Sequence, residues 1–128
     1  MARDKVFATT TVLVVGDLAR SIEFYGRLGF VEPSTWGDPP SFAMMNRDGF
    51  DLMLSCGTPR PNHDAWAMHL RVADLAAEEE ALRAAGVAID RGPTTTPYAM
   101  YEIEVVDPDG HRICFGQDIE RRPEDRGR

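Results

Sequence analysis

Thr10-Thr11-Val12-Leu13-Val14-Val15-Gly16-Asp17-Leu18-Ala19-Arg20-Ser21-Ile22-Glu23-Phe24-Tyr25-Gly26-Arg27-Leu28-Gly29-Phe30 returns, without a gap, 57 places later as residues 67–87. Leu13, Val15, Asp17, Leu18, Ala19, Glu23 and Gly29 recur as Leu70, Val72, Asp74, Leu75, Ala76, Glu80 and Gly86. A second echo, 61 places apart, sets Asn46-Arg47-Asp48-Gly49-Phe50-Asp51-Leu52-Met53-Leu54 against Asp107-Pro108-Asp109-Gly110-His111-Arg112-Ile113-Cys114-Phe115. Each half therefore reads strand, helix, then a meander ending in an Asp-Gly hairpin. Two copies of such a unit predict a cleft between them, with residue types at matched positions deciding its chemistry.

Within the first copy, residues 7–15 are β-branched and apolar and predict a covered strand. Asp17 is placed to cap a helix whose stripe is Leu18, Ile22, Tyr25 and Leu28, and Gly29 stops it. Residues 31–40 hold Pro33, Trp36, Gly37, Pro39 and Pro40 and read as a loop. Residues 42–45 and 50–55 predict a hairpin across 46–49. The second copy predicts a strand at 66–72, a helix at 75–85, a short strand at 87–89 and a hairpin from 101–106 and 111–115. Residues 92–97 read as a loop able to close over a cleft.

At 128 residues the chain reads as one domain, residues 1–117, built of two modules (6–56 and 66–117) too small to bury separate cores. The charged tail, 118–128, is expected to be mobile. Acidic residues outnumber basic ones 21 to 14, and the tail carries four of each sign, so the body holds the whole charge of −7. That argues against nucleic acid, which needs a basic face, and is compatible with a cationic ligand. Cys56 and Cys114 lack CxxC spacing and read as free thiols. With no apolar run long enough to span a bilayer and no signal-like N-terminus, the expectation is a soluble cytoplasmic protein and no membrane partner.

Strand alternation sorts the faces. Ile103, Val105, Ile113 and Phe115 are apolar and should meet the helices, leaving Glu102, Glu104, Arg112 and Cys114 opposite. This holds only if Asp107-Pro108-Asp109-Gly110 is a type I turn followed by a glycine bulge, since a two-residue turn would place the two sets out of phase. Met68, Leu70 and Val72 leave His69 and Arg71 on the open side, and the first half contributes Asp51, Met53 and Ser55. The inferred cleft collects Asp51, Met53, His69, Arg71, Glu102, Glu104, Arg112 and Cys114, with Trp36 and Trp66.

Val15-Gly16-Asp17-Leu18-Ala19-Arg20-Ser21-Ile22-Glu23-Phe24-Tyr25 with Leu28-Gly29-Phe30, and Asp107-Pro108-Asp109-Gly110 followed by Ile113, resemble the vicinal oxygen chelate superfamily of glyoxalases, bleomycin resistance proteins and dioxygenases. The resemblance covers residues 6–117. It implies an α+β fold of two tandem βαβββ modules forming a curled mixed sheet around a shared cleft, commonly completed by a homodimer. Metalloenzymes of that superfamily bind a divalent ion at places that align here with Thr10, Met53, Ala67 and Cys114. None is His, Asp or Glu, so no metal or other cofactor is expected there. A displaced set of His69, Glu104 and Cys114 would suit a softer ion such as Zn²⁺.

Pro97-Tyr98-Ala99-Met100-Tyr101-Glu102-Ile103 is similar to a stretch of the bleomycin resistance type, with Glu102 matching its glutamate and Met100 inserted. That type implies a metal-independent protein that sequesters an aromatic, partly cationic compound such as an antibiotic. Trp36, Trp66, Tyr98 and Tyr101 would then supply stacking surface, and Glu102, Glu104 and Asp51 countercharge. The alternative is a glyoxalase-like lyase, isomerase or hydrolase in the same cleft, with Glu104 or His69 as the catalytic group, without metal or with a displaced one. The vacant metal positions favour binding over catalysis.

Overall fold

The computed structural model describes residues 2–119. Its elements are β1 (Thr11–Val15), α1 (Leu18–Arg27), β2 (Val31–Trp36), β3 (Phe42–Arg47), β4 (Phe50–Cys56), β5 (Met68–Arg71), α2 (Leu75–Ala84), β6 (Arg91–Thr95), β7 (Met100–Val106) and β8 (Arg112–Asp118). The order is βαβββ twice, as the repeat and the resemblance imply. Each module builds its own four-stranded mixed sheet, β1-β4-β3-β2 and β5-β8-β7-β6. The chain divides into two compact units, one reaching to Pro61 and including Asp107–Asp109, the other taking Asn62–Val106 and the chain from Gly110 onward. Among the described residues no helix is long and apolar enough to cross a membrane.

In the first unit, Leu13, Val15, Leu18, Tyr25, Leu28, Ala43, Met45, Leu52 and Leu54 are buried, one side of the sheet packing on α1. Tyr25 is fully buried, and its hydroxyl donates to Asp107 Oδ2 at 2.7 Å. In the second unit Leu75, Leu82, Val87, Ile103, Val105, Ile113 and Phe115 are buried. Both helices start and stop by the same chemistry. Asp17 Oδ1 accepts from the Arg20 N–H and Asp74 Oδ1 from the Ala77 N–H, each at 3.1 Å. Both end in paired bonds, Gly29 N–H to Gly26 O with Phe30 N–H to Tyr25 O, and Gly86 N–H to Arg83 O with Val87 N–H to Leu82 O. This Schellman pattern needs positive φ at the glycine, observed at 92° and 80°.

Several predicted boundaries change. Residues 31–40 are not all loop, and 92–97 do not form a free loop: they contribute the edge strands β2 and β6. Each edge strand carries a one-residue register shift, between Val31 and Ser34 and between Arg91 and Thr94, where Pro33 and Pro93 fall. Proline cannot donate to a ladder, so it is tolerated at an edge and at a bulge, but it masks the strand in the sequence. The predicted strand at 87–89 is absent because Val87 closes the α2 cap instead. β1 and β5 are shorter than predicted at 7–15 and 66–72, and Ser21 rather than Ile22 is the fully buried member beside Leu18 and Tyr25. The tail lies outside the described residues beyond Ile119, β8 itself running to Asp118.

The two hairpins differ. Arg47 pairs with Phe50 across Asp48 and Gly49, at φ 53° and 89°, a type I′ turn. Val106 pairs with Arg112 across a longer turn, keeping Glu104 opposite Cys114 and Val105 opposite Ile113, which is the phase the face assignment requires.

Candidate functional site

One face of the second sheet gathers three acidic or imidazole side chains around a thiol. β8 lies between β5 and β7, and Cys114 stands opposite His69 on one side and Glu104 on the other. Gly116 is the next residue of β8 on that face and stands opposite Glu102. The His69 ring crosses β8 diagonally to reach Glu102, with Nε2 at 3.0 Å from Oε2. A Cβ on Gly116 would lie 2.9 Å from the His69 ring and 2.7 Å from the Met100 methyl. Glycine is therefore what opens the path for the imidazole, since a strand glycine commonly marks a close approach.

Glu102 is 4% exposed, and the Tyr98 hydroxyl also reaches it, at 2.7 and 2.8 Å from its two oxygens. Loss of water around the hydroxyl, followed by its hydrogen bond to Glu102, pushes the Tyr98 phenol up to about 12. Burial, reinforced by the charges of Glu102 and Glu104, likewise pushes the Cys114 thiol up to about 12. Both groups are protonated at neutral pH, so Cys114 by itself is no nucleophile.

Glu104 is held differently. Arg112 Nη1 donates to its Oε1 at 3.0 Å and to Asp90 Oδ2 at 2.7 Å, while Trp66 Nε1 donates to Glu104 Oε2 at 3.2 Å. The hydrogen bond to Asp90 raises the Arg112 guanidinium above its ordinary value, keeping it charged. The Trp66 ring lies 4.9 Å from the His69 ring, joining the two groups of contacts. Glu104 is thus neutralised by Arg112, and Glu102 is the carboxylate set between an imidazole and a phenol. Glu104→Gln is expected to fold yet lose about 1–3 kcal/mol, read by urea denaturation, because Arg112 keeps Asp90 but loses its buried charge partner. An unchanged midpoint would show that the pair contributes nothing.

Among the other predicted residues, Arg71 and Tyr101 of the second unit lie apart from this cluster. Arg71 is exposed and pairs with Asp118 at 3.5 Å, near the far end of the strands. Tyr101 alternates onto the side of Ile103 and Val105, opposite Glu102. In the first unit, Trp36 is half-exposed in β2 against Phe42, the ring centres 5.3 Å apart. Asp51 accepts from Asn46 Nδ2 at 2.9 Å, and Met53 is half-buried on β4 opposite Met44. The displaced donor set of the sequence reading contained Glu104. The structure instead brings His69, Glu102 and Cys114 together, their donor atoms all within 4.8 Å of one another. Sequence reasoning missed Gly116, Met100 and Asp90. A glycine inside an apolar strand run was the one available signal, for Gly116.

A sequence model described as the Glyoxalase/Bleomycin resistance protein/Dioxygenase superfamily matches residues 8–115. No curated protein matches the sequence. Among solved structures, the chain is similar to an antibiotic binding protein from a Streptomyces species, at 24% identity over 91% of this chain and 99% of that one, TM-score 0.72. It is similar to a bleomycin-binding protein complexed with bleomycin, at 23% identity over 89% and 99%, TM-score 0.69. A glyoxalase-related enzyme from Clostridium phytofermentans superposes at TM-score 0.77 with 15% identity over 91% and 98%. Likenesses at these identities establish the fold alone.

Proposed function

We propose that this chain, which belongs to the glyoxalase/bleomycin resistance protein/dioxygenase superfamily, captures a small aromatic, partly cationic compound on the face of its second sheet that carries Glu102. The observation that carries this reading is Glu102, a carboxylate buried to 4% exposure and continuous, through His69 and Tyr98, with two aromatics left half-open to solvent. Trp66 is 42% exposed and Tyr98 51%. A cation entering against Glu102 gains countercharge, and an aromatic body attached to it gains ring contacts of about 0.5–2 kcal/mol each. The net charge of −7 favours approach of a cation. Two solved structures of the same fold, an antibiotic binding protein and a bleomycin-binding protein, agree with this class of ligand. The vacancy of Thr10, Met53 and Ala67 as ligands supports capture without the metal chemistry that the superfamily's enzymes place there.

Thermal shift against glycopeptide antibiotics and aromatic amines, with mass spectrometry of the recovered compound, tests the reading. Stabilisation with unchanged compound is expected. Glu102→Gln should weaken binding tenfold or more, about 1.4 kcal/mol, because the ligand loses its countercharge. An unchanged affinity in that variant would remove Glu102 from the site and the reading with it. A second reading is favoured by one contact: the bond from His69 to Glu102 orients an imidazole as a general base requires. It would be adopted if epoxides or 2-oxo aldehydes came back chemically altered.

A further inference from the structure

We propose that His69, Glu102 and Cys114 form a binding site for a borderline-soft divalent ion, Zn²⁺ in the first place. The three donors come from three adjacent strands, β5, β7 and β8, so the ladder hydrogen bonds of a sheet hold them in place. Their ligand atoms lie within 4.8 Å of one another, and His69 Nε2 is already 3.0 Å from the Glu102 carboxylate. Tetrahedral zinc, with bonds of about 2.0 Å to N and O and 2.3 Å to S, needs its donors roughly 3.3–3.7 Å apart. Side-chain rotations of about an ångström would close the set around an ion of that size.

Donor chemistry selects the ion. One imidazole, one carboxylate and one thiol match zinc and exclude the all-oxygen shells of Mg²⁺ and Ca²⁺. Three protein ligands leave a fourth position, as in zinc sites that accept an exchangeable group. The site also has outer support, because the Tyr98 hydroxyl donates to the Glu102 carboxylate and Gly116 leaves room for the ring that carries Nε2. Cys114 is fully buried and Glu102 nearly so, whereas the His69 side chain is 25% exposed, so an ion enters past the imidazole. Only Cys114 stands at a place where the superfamily's enzymes carry a ligand. The site is therefore a different one, and because it uses the Glu102 carboxylate an ion there competes with the organic cation proposed above, so each is tested with the other absent.

Cobalt(II) is the probe, added to chelator-treated full-length protein with no organic ligand present. One ion per chain is expected, with the intense near-ultraviolet thiolate-to-cobalt band and strong visible absorption of four-coordinate cobalt, both abolished by one equivalent of Zn²⁺. The band should vanish in Cys114→Ser, and affinity should fall tenfold or more in Tyr98→Phe through loss of the outer hydrogen bond. Should Cys114→Ser fail to fold, Cys56→Ser decides, since Cys56 is exposed. Retention of the band in that variant leaves Cys114 as the thiolate. Loss of the band in Cys56→Ser, its persistence in Cys114→Ser, or no stoichiometric uptake by the wild type overturns the site. Failure here leaves Glu102→Gln and the antibiotic panel to judge ligand capture separately.

Discussion

Asp107→Ala is expected to lower the stability of the protein by about 3 kcal/mol, a large share of the roughly 5–15 kcal/mol that holds a domain folded. Asp107 and Tyr25 are both buried, and their side chains meet at 2.7 Å within the first unit. Alanine leaves the Tyr25 hydroxyl without its acceptor inside an apolar core, at a cost of about 1–3 kcal/mol. It also removes the bond from the Asp109 N–H to Asp107 Oδ1, 2.9 Å, that shapes the turn. That turn in turn presents Asp109 to the Gly16 N–H at 3.2 Å, just ahead of α1.

Burial first, and then the charge of Asp107, push the Tyr25 phenol far above its ordinary value. The hydroxyl therefore remains a donor at every pH where the protein would be studied. Tyr25→Phe should cost less, about 2 kcal/mol, because the carboxylate keeps the bond within its own turn. Urea denaturation of both variants gives the comparison. Equal midpoints for Asp107→Ala and wild type would mean that the motif acts only as a hairpin.

Gly92→Ala is expected to cost about 3 kcal/mol or more and to disturb the candidate site at the same time. Gly92 sits at φ 91°, and a Cβ there would fall 2.3 Å from the carbonyl oxygen of Glu102. That atom is backbone of the neighbouring strand and cannot rotate away, so β6 or β7 must shift. Strain of the left-handed conformation adds about 1 kcal/mol, and the forced displacement roughly 1–3 more. Because the clash falls on the backbone of Glu102 itself, both ligand capture and cobalt uptake should weaken along with the melting temperature. Gly26 provides the control: it is exposed in α1 with nothing within 4 Å of its Cβ position, and Gly26→Ala should stabilise by about 0.5–1 kcal/mol. If the two substitutions behaved alike, the close approach in the second sheet would be without consequence.

Legibility in the sequence followed the range of the interactions. The helix signals at Asp17 and Gly29, and again at Asp74 and Gly86, act within one turn of chain and could be read residue by residue. Alternation along β7 and β8 was legible for the same reason, since Glu102 and Glu104 differ in kind from Ile103 and Val105 between them. The edge strands were not legible, because Pro33 and Pro93 break the local signal and only pairing with β3 and β7 makes these segments strands. Within the site, the face of each side chain was predictable, and so was the pairing of Glu104 with Arg112 as diagonal neighbours. The bonds of Trp66 to Glu104 and of His69 to Glu102 were not.

The sequence by itself determined the doubled βαβββ order, the capped helices and the polar face of the second hairpin, because each follows from residue type at a fixed spacing. Only the tertiary structure decided that His69 pairs with Glu102, since that depends on a diagonal reach across β8 and on the missing side chain of Gly116. A distance of 3.0 Å between His69 and Glu102, residues 33 apart in the chain, is set by three strands lying side by side. No local pattern carries it.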